Sequence, residues 1–197
     1  MDVVVYLGFS LGAYLLGSVS PAIMITRWVK GGDVRQIGSG HAGATNTMRA
    51  AGWGWGLLVL VFDFGKGFLV VWLAERWGLH PVLPGAMVIV GHCWPFWADF
   101  KGGMGMATAG GAVTAMWPLG LVILIGLGAA LQLAIKHSAR ANIVTGVLAG
   151  PVWWVFGADG SQVITTAVLG VIVAVRALDD WGRVYRELWW DRPAEDD

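Results

Sequence analysis

Hydrophobic positions in this chain fall in long unbroken blocks, without the short-period alternation of a half-buried strand or a surface helix. Residues 3–26 carry no charge, and residues 53–74 are interrupted only by Asp63 and Lys66. Residues 82–98, 141–157 and 161–175 are likewise free of Asp, Glu, Lys and Arg. Residues 102–135 form a charge-free block too long for one crossing. Trp117–Pro118 is its natural break, because proline disfavours helix in the residue before it. Crossing about 30 Å of hydrocarbon takes about 20 apolar residues, fewer when snorkelling ends help. The pattern therefore predicts seven spans, the fourth one short. They must be helical, since open strands leave their backbone unsatisfied in lipid.

Composition agrees with a membrane protein. Of 197 residues, 56% are hydrophobic and 13% charged, against about 25% charged in soluble domains. The mean hydropathy is +0.65. Charge placement then orients the spans. Eleven of the 13 basic residues fall on one side: Arg27, Lys30, Arg35 and Arg49, Lys101, Lys136 and Arg140, and Arg176, Arg183, Arg186 and Arg192. Arg76 lies opposite and Lys66 within a span. The positive-inside rule puts the amino terminus outside and the carboxyl terminus in the cytoplasm. Trp28, Trp53, Trp77, Trp97, Trp117 and Trp181 fall near span ends, as an aromatic belt requires; packing is the other reading for Trp153 and Trp154. The first block lacks a basic leading region and an obvious cleavage site, so it reads as a retained helix. The lone Cys93 excludes an internal disulfide. The expected architecture is one all-α polytopic membrane domain over residues 1–197.

Two polar, glycine-rich segments, "RQIGSGHAGATNTMR" and "DFKGGMGMATAGG", lie on the predicted cytoplasmic side. Closely spaced glycines let backbone N–H groups converge on an anion, and a helix start adds its positive dipole end. Phosphate is the natural ligand. Arg35, Arg49 and Lys101 supply countercharge, Arg49 with a fork suited to phosphate. Ser39, Thr45, Asn46 and Thr108 add neutral hydrogen-bonding groups. The competing reading is a pair of flexible loops with ordinary cytoplasmic charges. Asp63 and Lys66 sit three apart on one helix face, where ionisable groups are costly and face a protein interior or a water-filled site. Either they form a structural ion pair, or Lys66 points at an anionic substrate with Asp63 holding it. His92 is a general-base candidate or a hydrogen-bonded packing residue. The histidines show no metal-ligand spacing. Gly12, Gly17, Ser18, Gly110 and Gly111 read as close-approach positions between helices.

The segments "LGSVSPA", "IGSGHAGATNTMR", "DFGKG", "GHCWPFWADFKGG" and "ATAGG", in this order and spacing, closely resemble the bacterial PlsY family of acyl-phosphate:glycerol-3-phosphate acyltransferases. The resemblance is most specific from residue 17 to 108. It implies seven spans in the inner membrane, cytoplasmic motifs, and transfer of a fatty acyl group from acyl phosphate to the 1-hydroxyl of glycerol 3-phosphate. The product would be lysophosphatidic acid. It implies no metal or other cofactor and no nucleic-acid partner. Membrane lipids and a soluble acyl-phosphate synthase are the partners it implies. Carried over by position, Ser39, Arg49 and Lys101 are the expected catalytic residues. Gly38, Gly40, Thr45, Asn46, Gly102, Gly103 and Thr108 join Asp63, Lys66 and His92 as the expected substrate-binding set.

The chain departs from that family's pattern at several points. His41 stands where the family has an asparagine, and Met104 where it has a lysine. Ala139 stands near a family serine. Ala177 and Asp180 stand where a loose alignment on Arg176 would place histidine and asparagine. These departures predict weak activity on glycerol 3-phosphate. They leave two further readings in competition with the enzyme: a non-catalytic lipid-binding relative, and a small transporter.

Overall fold

The computed structural model describes residues 3–183. These residues contain nine α-helices and no strand. They divide at Trp117–Pro118 into two compact units. The first comprises α1 (Val3–Ser18), α2 (Pro21–Lys30), α3 (Ala44–Ala51), α4 (Trp53–Arg76), α5 (Val82–Cys93) and α6 (Met106–Met116). The second comprises α7 (Pro118–Ile135), α8 (Ser138–Val155) and α9 (Gly160–Leu178).

Among the described residues, four helical segments are long and apolar enough to cross a membrane: Val3–Lys30, Trp53–Arg76, Pro118–Ile135 and Gly160–Leu178, with Val82–Ala98 a shorter apolar one. The first differs from the uninterrupted run expected from its sequence. It breaks at Val19 and Ser20, because Pro21 opens α2 and cannot donate to a continuing ladder. The break leaves the last carbonyls of α1 without intrahelical partners, and side chains from elsewhere supply them. Lys66 donates to Gly17 O and Val19 O, and Trp97 Nε1 donates to Ser18 O at 2.8 Å. The segment expected to be a loop after the first span also contains a helix, α3, entered through an extended Gly43.

Small residues decide which helices touch. A Cβ on Gly17 would overlap Val88 O and one on Gly91 would overlap Tyr14 O, so α1 and α5 cross backbone to backbone. Gly67 against Thr108 O and Gly111 against Phe64 O do the same for α4 and α6. In the second unit, Gly146 and Gly170 face each other's carbonyls across α8 and α9. This is the packing expected where lipid removes any hydrophobic drive between helices. Gly17 and Gly111 play the expected role; Gly12 has nothing near it. Trp153 is fully buried and donates to Gly120 O at 3.3 Å, whereas its neighbour Trp154 is 73% exposed.

Candidate functional site

The polar segment after α2 is built in two parts. Its first part is a short 3-10 turn, Val34–Gln36, whose N-cap Asp33 accepts from Arg35 N. The Arg35 guanidinium folds back onto the same carboxylate, Nε at 3.0 Å and Nη2 at 2.7 Å, and Nη1 donates to Ala98 O at 2.8 Å. Arg35 therefore differs from its expected role as phosphate countercharge: its fork ties the turn to the Phe96–Ala98 turn. The Arg35 hydrogen bonds and charge beside Asp33 hold the carboxyl below its usual range, against the opposing effect of partial burial.

The second part is organised by Asn46. Buried on α3, its Nδ2 donates to Ser39 Oγ and to His41 O, both at 2.9 Å, and its Oδ1 accepts from Arg49 Nη1 at 3.1 Å and from Ser39 N at 3.4 Å. The Ser39 hydroxyl oxygen thus accepts from Asn46. Arg49 is exposed, and one hydrogen bond to Asn46 orients the guanidinium while leaving most of its five donors for a ligand. Gly38 and Gly40 have φ of +55° and +76°, a region that disfavours other side chains. Thr45 is exposed on the first turn of α3.

The second glycine-rich segment crosses the first. Ala42 N donates to Gly102 O at 3.2 Å. Gly102 N and Gly103 N donate to Cys93 O and His92 O at 3.0 and 3.1 Å. These two amides turn inward, which corrects the expectation that this glycine pair cradles an anion with its own N–H groups. Both glycines instead permit contact with the α5 end, since a Cβ on either would overlap a His92 atom. The amides suited to an anion lie at two helix starts, those of α3 and α6. Their N-caps are Gly43 and Gly105, with no side-chain cap. Lys101 is exposed beside this crossing in sequence, and Met104 is half-buried. Thr108, in the first turn of α6, is fully buried and its hydroxyl has no hydrogen-bond partner.

Asp63, Lys66 and His92 come together inside this unit. Lys66 Nζ lies 2.8 Å from Asp63 Oδ1 and 2.9 Å from His92 Nδ1, and the same carboxylate oxygen is 3.3 Å from His92 Nδ1. All three side chains are buried. The spacing of Asp63 and Lys66 predicted a shared helix face and left two readings open, of which the structure shows the ion pair. Sequence reasoning missed the α1 carbonyls that Lys66 also binds, whose one signal was Pro21 ending the first helix.

In the second unit, Ala139, Arg176, Ala177 and Asp180 are buried. Arg176 Nη1 pairs with Asp179 Oδ2, and Asp180 Oδ1 lies 3.3 Å from Arg183 Nη1. The Asp180 charge is balanced locally rather than presented bare. Arg186 and Arg192 lie outside the described residues.

A family profile described as glycerol-3-phosphate acyltransferase matches residues 7–187. The chain belongs to the glycerol-3-phosphate acyltransferase family. Among its relatives, the glycerol-3-phosphate acyltransferase of Shewanella woodyi is 37% identical over 183 residues, covering 91% of this chain and 90% of that protein. That of Klebsiella pneumoniae is 37% identical over 186 residues, covering 91% and 88%. The fold is similar to crystal structures of PlsY (YgiH), an integral membrane glycerol 3-phosphate acyltransferase. The glycerol 3-phosphate form superposes with a TM-score of 0.77 at 32% identity, covering 89% of this chain and 90% of that one. The lysophosphatidic acid form gives 0.75 at 29% identity, covering 89% of each. As a member of this acyltransferase family the chain is a membrane protein, and its described residues are helical without strands.

Proposed function

We propose that this acyltransferase moves a fatty acyl group from acyl phosphate to the 1-hydroxyl of glycerol 3-phosphate, forming lysophosphatidic acid for phospholipid synthesis. The hydroxyl oxygen attacks the acyl carbonyl carbon. The bond from that carbon to the phosphate oxygen breaks, inorganic phosphate leaves with the electron pair, and the hydroxyl proton passes to the departing phosphate. The donor is already activated, so positioning and charge stabilisation carry most of the work, without a strong side-chain base.

In this reading the Ser39 hydroxyl contacts the acyl phosphate, and Arg49 binds a substrate phosphate through its remaining N–H groups. Lys101 supplies the second cation. The uncapped starts of α3 and α6 add backbone donors, with Gly38, Gly40, Thr45, Asn46, Gly102, Gly103 and Thr108 shaping or lining the site. The chain crosses the inner membrane seven times with its amino terminus outside, and the glycine-rich segments face the cytoplasm, where a soluble synthase delivers acyl phosphate. Both compact units serve one enzyme, since the family match runs across them.

The observation that carries the reading is the Ser39–Asn46–Arg49 constellation within a family match over residues 7–187. It is tested by incubating the purified protein in lipid vesicles with acyl phosphate and glycerol 3-phosphate and measuring lysophosphatidic acid by mass spectrometry. Product is expected, and Arg49→Ala should abolish most of it. No product from the folded protein, even with Met104→Lys, would overturn the reading.

A further inference from the structure

Lys66 Nζ has three donors and three hydrogen-bond partners, Gly17 O at 3.0 Å, Val19 O at 3.1 Å and His92 Nδ1 at 2.9 Å, with the charged Asp63 Oδ1 2.8 Å away. An ammonium enclosed in this way has no donor left for a substrate phosphate. Asp63 balances its charge, which keeps the cluster tolerable in apolar surroundings. His92 Nδ1 faces both this ammonium and, at 3.3 Å, the Asp63 carboxylate oxygen, which holds that edge of the ring inside the cluster. Nε2 is the edge turned to the second glycine-rich segment: a Cβ on Gly103 would overlap it and would lie 2.7 Å from Ala42 O. His92 O and Cys93 O hold Gly103 N and Gly102 N, and Gly102 O holds Ala42 N. One continuous run of polar contacts therefore joins the α1–α2 break, through Lys66 and His92, to the crossing of the two glycine-rich segments.

We infer that Lys66, Asp63 and His92 are positioning residues: they seat Gly102 and Gly103 against Ala42 and thereby set the affinity for the phosphate-bearing substrates. The kinetic consequence rests on the acyltransferase reading; the structural one does not. If one partner is truncated, a buried charge or imidazole is left uncompensated, and the segment hung on α5 loses its brace.

The experiment is hydrogen exchange by mass spectrometry on the full chain in detergent, without substrate. Lys66→Met should speed exchange about tenfold or more in peptides covering residues 17–21 and 101–105, and leave α8 and α9 unchanged. His92→Asn keeps an acceptor near the Nδ1 position for Lys66 but removes the Nε2 edge. It should speed exchange at 101–105 and leave 17–21 protected. Should Lys66→Met fail to fold, the His92→Asn result decides. Unchanged exchange at 101–105 overturns the inference, and so does a uniform rise across both units, which would mark general destabilisation. In acyl-transfer assays, His92→Asn should raise KM for glycerol 3-phosphate about tenfold with little change in kcat. A loss confined to kcat with native exchange would make His92 a group at the reacting atoms and overturn the positioning role. An inactive unaltered protein would sink the acyltransferase reading alone, because the exchange result stands without turnover.

Discussion

Gly38 and Arg49 are in backbone-to-guanidinium contact, with no room for a side chain between them. A Cβ on Gly38 would overlap Arg49 Nη1 and Asn46 Oδ1, and the φ of +55° disfavours any non-glycine residue there. Gly38→Ala should therefore displace the very guanidinium that the site presents. Its binding of glycerol 3-phosphate, read by calorimetry, should weaken by about 1.5–3 kcal/mol, the scale of a hydrogen bond to a charged group. Arg49→Ala should cost a similar amount. Gly32→Ala is the control, because nothing lies within 4 Å of that position, and it should bind normally.

Met104 is half-buried in the segment that leads into α6, where the PlsY pattern places a lysine. Methionine can neither donate a hydrogen bond nor balance charge, so kcat/KM for glycerol 3-phosphate should be low. Met104→Lys should raise it about ten- to a hundredfold, the equivalent of about 1.5–3 kcal/mol. High activity in the unaltered protein would instead assign the missing charge to Lys101.

Asp33 and Arg35 make a largely enclosed, forked ion pair, with side chains 19% and 17% exposed. Hydrogen bonding to Arg35 holds the Asp33 carboxyl below its usual 3.8 in the folded protein. A lowered folded-state value means that the contribution is fully present above 3.8 and fades as pH falls through the lower folded value. Asp33→Asn should cost about 1–2 kcal/mol at neutral pH. The gap in melting temperature between the two proteins should hold down to about pH 4 and close only below it. A gap that closes near neutral pH would assign it to another group.

The seven-span reading makes Arg140 cytoplasmic and Asp159 external. Reporter fusions at the two positions should therefore report opposite sides of the membrane. The same side for both would remove α8 as a crossing and change the orientation of α9.

The helical character of every apolar block was legible in the sequence, because a charge-free run in lipid has no other way to satisfy its backbone. The break at Trp117–Pro118 was equally legible, as was the shared helix face of Asp63 and Lys66, since both rest on rules that act over a few residues. The helix α3 was harder to read: its eight residues are polar and entered through glycine, with no capping side chain to announce a start.

What only the tertiary structure decided is which donors and acceptors find each other over long separations. Arg35 looked like a phosphate ligand until Asp33 and Ala98 O were seen to occupy its fork. Gly102 and Gly103 looked like an anion cradle until their amides were seen turned to Cys93 and His92. Lys66 meets the α1 carbonyls 49 and 47 residues away in the chain. Residue type and spacing identify a group that can bind phosphate. Whether its donors are already spent depends on the close helix crossings at Gly17, Gly67, Gly91 and Gly111, which bring distant backbone within reach of these side chains.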